Sequence, residues 1–247
     1  MKRPAISHGR RRRFGAASFL WLNLAVALLA ARAVEPYLAT NAVDSIALLP
    51  PPPSLEAVEQ ATDLAAVHAA FEATPEDERW RAEREAPLVP ERFAPVIGEW
   101  FDTKRLPKTA HLLERAKLCA RAPVAAAKEH WKRPRPYELD ARLRFGGKPE
   151  STWSYPSGHS TVGTLQALVL AELFPERREA ILAIGRRIGW DRVRTAKHFP
   201  SDVYAGRTLG QAIFRALQTN AAFQRDLEAA RAEVTAAQRG TISNPAP

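Results

Sequence analysis

The chain has 247 residues, of which 46% are hydrophobic and 26% charged, as expected for one globular domain with a hydrophobic core. Its net charge of +9 is unevenly placed, because residues 1–33 hold seven basic residues and no acid, which leaves only +2 for the remainder. This distribution argues against nucleic-acid binding through a basic face. The single cysteine, Cys119, excludes an intramolecular disulfide framework.

Residues 1–33 have the pattern of an export signal. A basic stretch ending at Arg13 precedes an apolar stretch from Phe14 to Ala31, and Ala31-Arg32-Ala33 has the small-x-small pattern of a cleavage site. We therefore expect a signal peptide and a periplasmic or secreted mature protein without stable membrane association. The alternative is an uncleaved N-terminal anchor, because an apolar stretch of this length approaches what a bilayer span requires. Sec and twin-arginine export both fit.

Proline divides the rest of the chain. Residues 34–54 include the run LLPPPPS and predict an extended arm, because consecutive prolines fit neither a helix nor a central strand. Residues 55–240 predict a helical domain, and residues 241–247 a flexible tail. Ala, Leu, Arg and Glu dominate, and the pattern contains no convincing strand pair. The predicted class is all-α, a single-domain helical bundle.

Apolar periodicity predicts helices separated by loops rich in proline. Residues 132–155 contain several prolines and glycines and are expected to form a loop. A helix start is predicted at 74–78, where a possible N-cap precedes several acids, and Pro87 breaks that segment. The other predicted helices cover about 55–73, 92–103, 108–131 with a disturbance at Pro123, 160–174, 176–195, 201–220 and 221–239.

The segment SYPSGHSTVG, residues 154–163, has the pattern of a helix start shaped to bind an anion. Ser157 is a favourable N-cap residue, and Gly158 lets a ligand approach the backbone without meeting a Cβ. The unpaired N–H groups of the first turn and the helix dipole favour an anion, and His159 would stand beside it. A capped helix with a solvated histidine gives the same pattern, so this segment alone does not establish an anion-binding site.

A second histidine, His198, lies four residues before Asp202. Pro200 favours a helix start near Ser201, so the pair straddles the helix entrance and can share one face. A carboxylate bonded to one ring nitrogen leaves the other nitrogen as a nucleophile or base. The alternative is a capping role for Asp202, and the two roles are compatible.

Residues 128–136, KEHWKRPRP, supply cations. Lys128 offers a compact charge, and Arg135 offers a planar fork suited to two phosphate oxygens. Lys132 and Arg133 fit a solvated basic loop better and are assigned no role.

Together these segments resemble the phosphatidic acid phosphatase type 2 / vanadium haloperoxidase superfamily. Within it, KEHWKRPRP, SYPSGHS and HFPSDVYAGR are most similar to the soluble bacterial class A acid phosphatases. The resemblance runs from Lys128 to about Arg207. The matching residues are Lys128, Arg135, Pro136, Pro156, Ser157, Gly158, His159, Arg192, His198 and Asp202.

The resemblance implies the helical bundle of that superfamily and hydrolysis of phosphomonoesters without a metal or other cofactor. In that scheme His198 attacks phosphorus and forms a phosphohistidine, Asp202 orients its ring, and His159 protonates the leaving alkoxide and then activates water. One imidazole must be neutral and the other protonated, so a reference pKa of about 6.5 predicts an acidic optimum. The implied phosphate-binding residues are Lys128, Arg135, Ser157, Gly158 and Arg192.

One position departs from the family pattern, which usually has serine where this chain has Asp191. An acid there either pairs with a neighbouring cation or weakens phosphate binding by repulsion. Asp191 is therefore left out of the predicted site.

The expected partner is a small-molecule phosphomonoester, nucleic acid is not expected, and a homo-oligomer is compatible with the sequence. Two other functions fit the same residues: a vanadate-dependent haloperoxidase-like enzyme, with His198 bound to vanadate, and an inactive exported anion-binding protein. A membrane lipid phosphatase needs several spanning helices, whereas this sequence offers at most one candidate span.

Overall fold

The computed structural model describes residues 34–146 and 149–243, with side chains described as far as residue 240. The predicted signal segment, residues 1–33, lies outside the described residues. The described part contains helices and no strand, which confirms the all-α prediction. The α-helices are α1 Ser45–Leu48, α2 Val58–Ala73, α3 Glu76–Arg84, α4 Ala94–Ile97, α5 Pro107–Leu118, α6 Arg121–Trp131, α7 Pro136–Leu139, α8 Gly158–Leu173, α9 Arg178–Arg194, α10 Pro200–Gln218 and α11 Ala221–Ser243; 3₁₀ turns cover Pro90–Phe93, Ala141–Leu143 and Pro175–Arg177.

Helix α8 is the centre of the bundle. It is buried on nearly all sides and packs against α9 and α10. A helix that is apolar around its whole circumference is stable only where neighbours cover every face. The contact with α9 is close, because a Cβ added at Gly185 would lie 2.6 Å from Cβ of Ala167. The start of α8 is equally close to α9, because a Cβ added at Gly189 would lie 2.9 Å from Oγ of Ser160.

The segment 35–54 packs along the helical domain. The ring of Tyr37 is buried in the main hydrophobic core and meets the Phe223 ring edge to face, with centroids 5.4 Å apart. The Tyr155 hydroxyl donates to the carbonyl of Pro50 at 2.6 Å. The expected extended arm is interrupted by the short helix α1.

Several helix boundaries differ from the prediction. The helix expected over 92–103 is a 3₁₀ turn followed by α4, because Gly98 adopts a φ of 135° and ends the helix. The helix expected over 108–131 is divided into α5 and α6. Pro123 occupies the first turn of α6, where its missing N–H has no intrahelical partner to lose. Helix α11 continues to Ser243, into the expected tail.

No helix within residues 34–146 and 149–243 is long and apolar enough to cross a membrane.

Candidate active site

A cavity of about 400 Å³ lies where the start of α8, the end of α6 and the segment before α10 meet. Ser157, Arg192 and Asp202 are buried and do not line this cavity. The predicted site residues that line it are Lys128, Arg135, Gly158, His159 and His198.

Ser157 is the N-cap of α8, as predicted. Its Oγ accepts the Ser160 N–H at 3.3 Å, and its own N–H donates to the Asp202 carbonyl at 3.0 Å. The second bond joins the start of α8 to the first turn of α10. Gly206 makes this approach feasible, because a Cβ there would lie 2.5 Å from the Ser157 carbonyl oxygen. The two helix starts therefore hold His159 and His198 in a fixed relation.

Asp202 both caps α10 and faces His198. Its Oδ2 lies 3.3 Å from His198 Nδ1 and accepts the Phe199 N–H at 2.9 Å. The Ser154 hydroxyl also donates to Oδ2. A carboxylate at Nδ1 places the ring proton there and leaves Nε2 with its lone pair. Nε2 lies 3.4 Å from Arg135 Nη1, at the cavity wall.

Backbone carbonyl groups fix the side chains of two cations, Lys128 in the last turn of α6 and Arg135 just after that helix. Arg135 donates to the carbonyls of Thr152 and Lys197, each at 2.8 Å. Lys128 Nζ donates to the carbonyl of Trp153. Burial, then the charge of Arg135, lowers the pKa of Lys128 to about 8. The cation positions are thus set before any ligand arrives.

Arg192 lies behind the cavity lining with two unused donors. Its side chain is only 2% exposed, and Nη2 donates to Glu83 Oε1 at 3.2 Å, with Glu150 Oε1 at 3.7 Å. Its Nε and Nη1 are buried and have no hydrogen-bond partner among the described residues. Buried guanidinium donors are costly to leave unpaired, so they favour an anion.

Both cavity imidazoles titrate below their usual range. Burial, then Arg192, lowers the pKa of His159 to about 4. Burial, then Arg135 and Lys128, lowers the pKa of His198 well below its ordinary value. Both rings are therefore neutral at pH 7, and a bound anion would favour protonation of His159.

One wall of the cavity is aliphatic. Val162 follows His159 by three residues on α8, so both side chains lie on the same face. A Cβ added at Gly158 would meet only Val124 Cγ1, at the ordinary contact distance of 3.7 Å, so protein packing alone does not require glycine there. The apolar lining residues are Leu88, Ala120, Val124, Ala125 and Val162.

The expectation that Arg133 belongs to a solvated loop is wrong. Its side chain is 3% exposed and donates from Nη1 to Asp202 Oδ1 at 2.6 Å. Lys132, by contrast, is exposed. A signal was present in the sequence: residues two apart in an extended segment lie on the same side, and Arg133 and Arg135 are both buried.

Asp191 pairs with cations, which is the first of the two outcomes foreseen for it. Its Oδ2 lies 3.5 Å from Arg92 Nη2 and 3.6 Å from Arg187 Nε, and its Oδ1 lies 3.3 Å from Arg194 Nη1. The carboxylate is therefore turned to these arginines, and Asp191 is not among the cavity-lining residues.

The described residues contain no group of three or more His, Cys, Asp or Glu side chains arranged to hold a metal ion.

Comparison with known proteins identifies the family of this chain. A non-specific acid phosphatase of Salmonella typhimurium is 34% identical over 215 residues, covering 83% of this chain and 86% of that protein. One from Providencia stuartii is 31% identical over 207 residues, covering 78% and 82%. A solved structure, the transmembrane PAP2 type phosphatidylglycerolphosphate phosphatase from Bacillus subtilis, has a TM-score of 0.41 at 18% identity and covers 81% of this chain and 91% of that one. The sequence model of the PAP2 superfamily matches residues 116–224, and the chain belongs to this superfamily.

Proposed function

We propose that this chain is an exported, metal-independent acid phosphatase that hydrolyses small phosphomonoesters through a phosphohistidine on His198. The main observation in support is that His159 and His198 line one cavity, together with Lys128, Arg135 and the first residue of α8. As a member of a family whose relatives are named non-specific acid phosphatases, the chain is a phosphoric monoester hydrolase. Export rests on the leader pattern of residues 1–33.

In the first step, Nε2 of His198 forms a bond to phosphorus as the bond to the alkoxide breaks. Asp202 accepts a hydrogen bond from Nδ1–H, keeps its negative charge and stabilises the positive charge that develops on the ring. His159 delivers its proton to the departing oxygen. In the second step His159 takes a proton from water, which attacks phosphorus and releases inorganic phosphate and the neutral His198.

The phosphate oxygens are bound by fixed donors. Lys128 and Arg135 lie at the cavity wall, and the N–H of Gly158 belongs to the unpaired first turn of α8. The unused Nε and Nη1 of Arg192 supply a second guanidinium behind the lining. The Ser157 hydroxyl accepts from Ser160, which leaves its own proton to donate. Preorganised donors of this kind offset the charge of the transition state without reorganisation.

A phosphomonoester panel tests the proposal, run with and without a chelator and with vanadate as competitor. We expect turnover that chelation does not change, competitive inhibition by vanadate, and no turnover by His198→Ala. Halide oxidation in the presence of vanadate, without phosphate release, would support the haloperoxidase-like alternative instead. Full activity in His198→Ala would contradict the assignment of the nucleophile.

A further inference from the structure

Asp202 belongs to a larger buried network that reaches a helix outside the segment matched by the PAP2 model, residues 116–224. Arg133 donates from Nη1 to Asp202 Oδ1 at 2.6 Å and from Nη2 to Asp63 Oδ2 at 2.8 Å. Nη2 also donates to Gln60 Oε1 at 2.5 Å. Asp63 and Gln60 lie on α2, which is remote from the site in sequence. The guanidinium thus bridges two carboxylates, of which only Asp202 touches the catalytic histidine.

The network is buried and geometrically fixed. Arg133, Asp63 and Asp202 are 3%, 9% and 0% exposed. The Arg133 guanidinium lies over the Phe199 ring, 3.9 Å from its centroid, and Ser201 donates to Asp63 while accepting from Arg133 at 2.6 Å. Each of the two carboxylates therefore has a charged partner, which a buried carboxylate requires.

We propose that Arg133 and Asp63 are positioning residues that set the geometry and effective charge of Asp202, and through it the reactivity of His198. Arg133 offsets the cost of a fully buried Asp202. Asp63 draws part of the Arg133 charge to itself, so that Asp202 retains enough negative charge to stabilise the phosphorylated ring. The inference rests on the proposed function, because it assigns His198 as the nucleophile.

The direction in which the pKa of His198 shifts when Arg133 or Asp63 loses its charge distinguishes a positioning role from simple packing. The groups that face the ring or act on its charge are Asp202, the Ser154 hydroxyl, Arg135, Lys128, His159 and Arg192. Removal of the Arg133 charge leaves Asp202 uncompensated and raises the pKa of His198. Removal of the Asp63 charge leaves Arg133 acting fully on Asp202 and lowers it.

The experiment compares Arg133→Gln, Arg133→Lys and Asp63→Asn in the full chain, with Lys132→Gln as the matched control. Lys132 is exposed one residue from Arg133, so its variant removes an adjacent charge without touching the network. We measure the pH profile of kcat/KM and the titration of the His198 ring by NMR. A misplacement of about 1 Å at a catalytic group costs on the order of 100-fold, so we expect kcat/KM to fall roughly 10- to 100-fold in the three network variants.

The inference predicts opposite shifts: the acid limb of the profile moves to higher pH in Arg133→Gln and to lower pH in Asp63→Asn. Arg133→Lys keeps the charge and hence the limb position, although a lysine cannot bridge both carboxylates. Unchanged acid limbs in folded Arg133→Gln and Asp63→Asn, or shifts in the same direction in these two variants, would overturn the inference. If Arg133→Gln fails to fold, the Asp63→Asn shift decides. His198→Ala separates the two failures, because its full activity would refute the proposed function itself.

Discussion

Nδ1 of His198 lies 3.3 Å from Oδ2 of Asp202, a carboxylate that is fully buried and also accepts the Phe199 N–H. One carboxylate therefore caps α10 and fixes the tautomer of the histidine four residues earlier. The free ring nitrogen, Nε2, is thereby directed to the cavity wall beside Arg135. The chemistry of the site depends on this arrangement, because a nucleophilic imidazole needs its lone pair aimed at phosphorus.

In the proposed mechanism the pH dependence of the rate follows from His159, which must carry a proton to release the leaving group. Burial and the charge of Arg192 lower its pKa to about 4, so the protonated fraction falls as pH rises above that value. Since kcat/KM reports the free enzyme, it should be highest in acidic solution and decline toward neutrality. A profile that is flat between about pH 4 and pH 9 would contradict this role.

A variant of Arg192 tests whether this positive charge lowers the pKa of His159. The variant Arg192→Gln removes a positive neighbour of His159, so the pKa of His159 rises and the falling limb of kcat/KM moves to higher pH, while phosphate binding weakens. The control Arg186→Gln removes an exposed charge from the same helix and should leave the limb in place. A falling limb of kcat/KM at the same pH in the two variants would show that Arg192 does not act on His159.

Lys128 should limit phosphate binding on the alkaline side. With its pKa lowered to about 8, the ammonium loses its proton above that pH, and the inhibition constant of inorganic phosphate should rise. In Lys128→Gln, inhibition should be roughly 30-fold weaker at pH 6, equivalent to the ~2 kcal/mol of a charged hydrogen bond, and should lack the alkaline rise. Lys132→Gln should match the wild type in both respects.

The aliphatic wall predicts selectivity for the leaving group. In the proposed mechanism His159 protonates the departing oxygen. Val162 shares its helix face and Val124 lies beside Gly158, so we expect the departing group to contact hydrocarbon. Val124→Ser should lower kcat/KM for butyl phosphate about tenfold relative to glycerol phosphate, since burial of a valine side chain contributes about 1.5 kcal/mol. Ala126→Ser, an exposed change on the same helix, should not alter the ratio.

Asp191 should matter for stability rather than for phosphate affinity, because its carboxylate faces three arginines behind the cavity lining. We expect Asp191→Asn to lower the free energy of unfolding by about 2 kcal/mol, the loss of a charged hydrogen bond. The inhibition constant of phosphate should stay within about twofold. Urea unfolding and phosphate inhibition measure the two quantities, and a large gain in affinity with unchanged stability would show that the acid opposes phosphate binding instead.

Local signals in the sequence were enough to predict the two helix starts that carry the site. Ser157 caps α8, and Asp202 accepts the Phe199 N–H at the start of α10. Both interactions span only a few residues, so nearby residues predict them. The same locality explains the prediction of His198 and Asp202 as a pair. The helix predicted over 92–103 failed for a local reason too, since Gly98 adopts a conformation that helical periodicity does not reveal.

The contacts that the sequence did not reveal are those between distant segments. Arg133 meets Asp63 seventy residues away, and nothing near either residue indicates the other. The sequence also did not reveal which predicted site residues line the cavity. Ser157 and Arg192 lie behind the lining, whereas Lys128 and Arg135 form part of it. Such relations depend on how α2, α6 and α9 pack, and helix packing is set by the whole core.

The most direct test of the account is to trap the phosphorylated enzyme. In His159→Ala, an aryl phosphate with a good leaving group should still transfer its phosphoryl group, whereas the base needed for the second step is absent. Rapid quenching under alkaline conditions, followed by peptide mass spectrometry, should find a phosphoryl group on His198 and none in His159→Ala/His198→Ala. A phosphoryl group on another residue, or turnover of the double variant at the rate of the single one, would contradict the account.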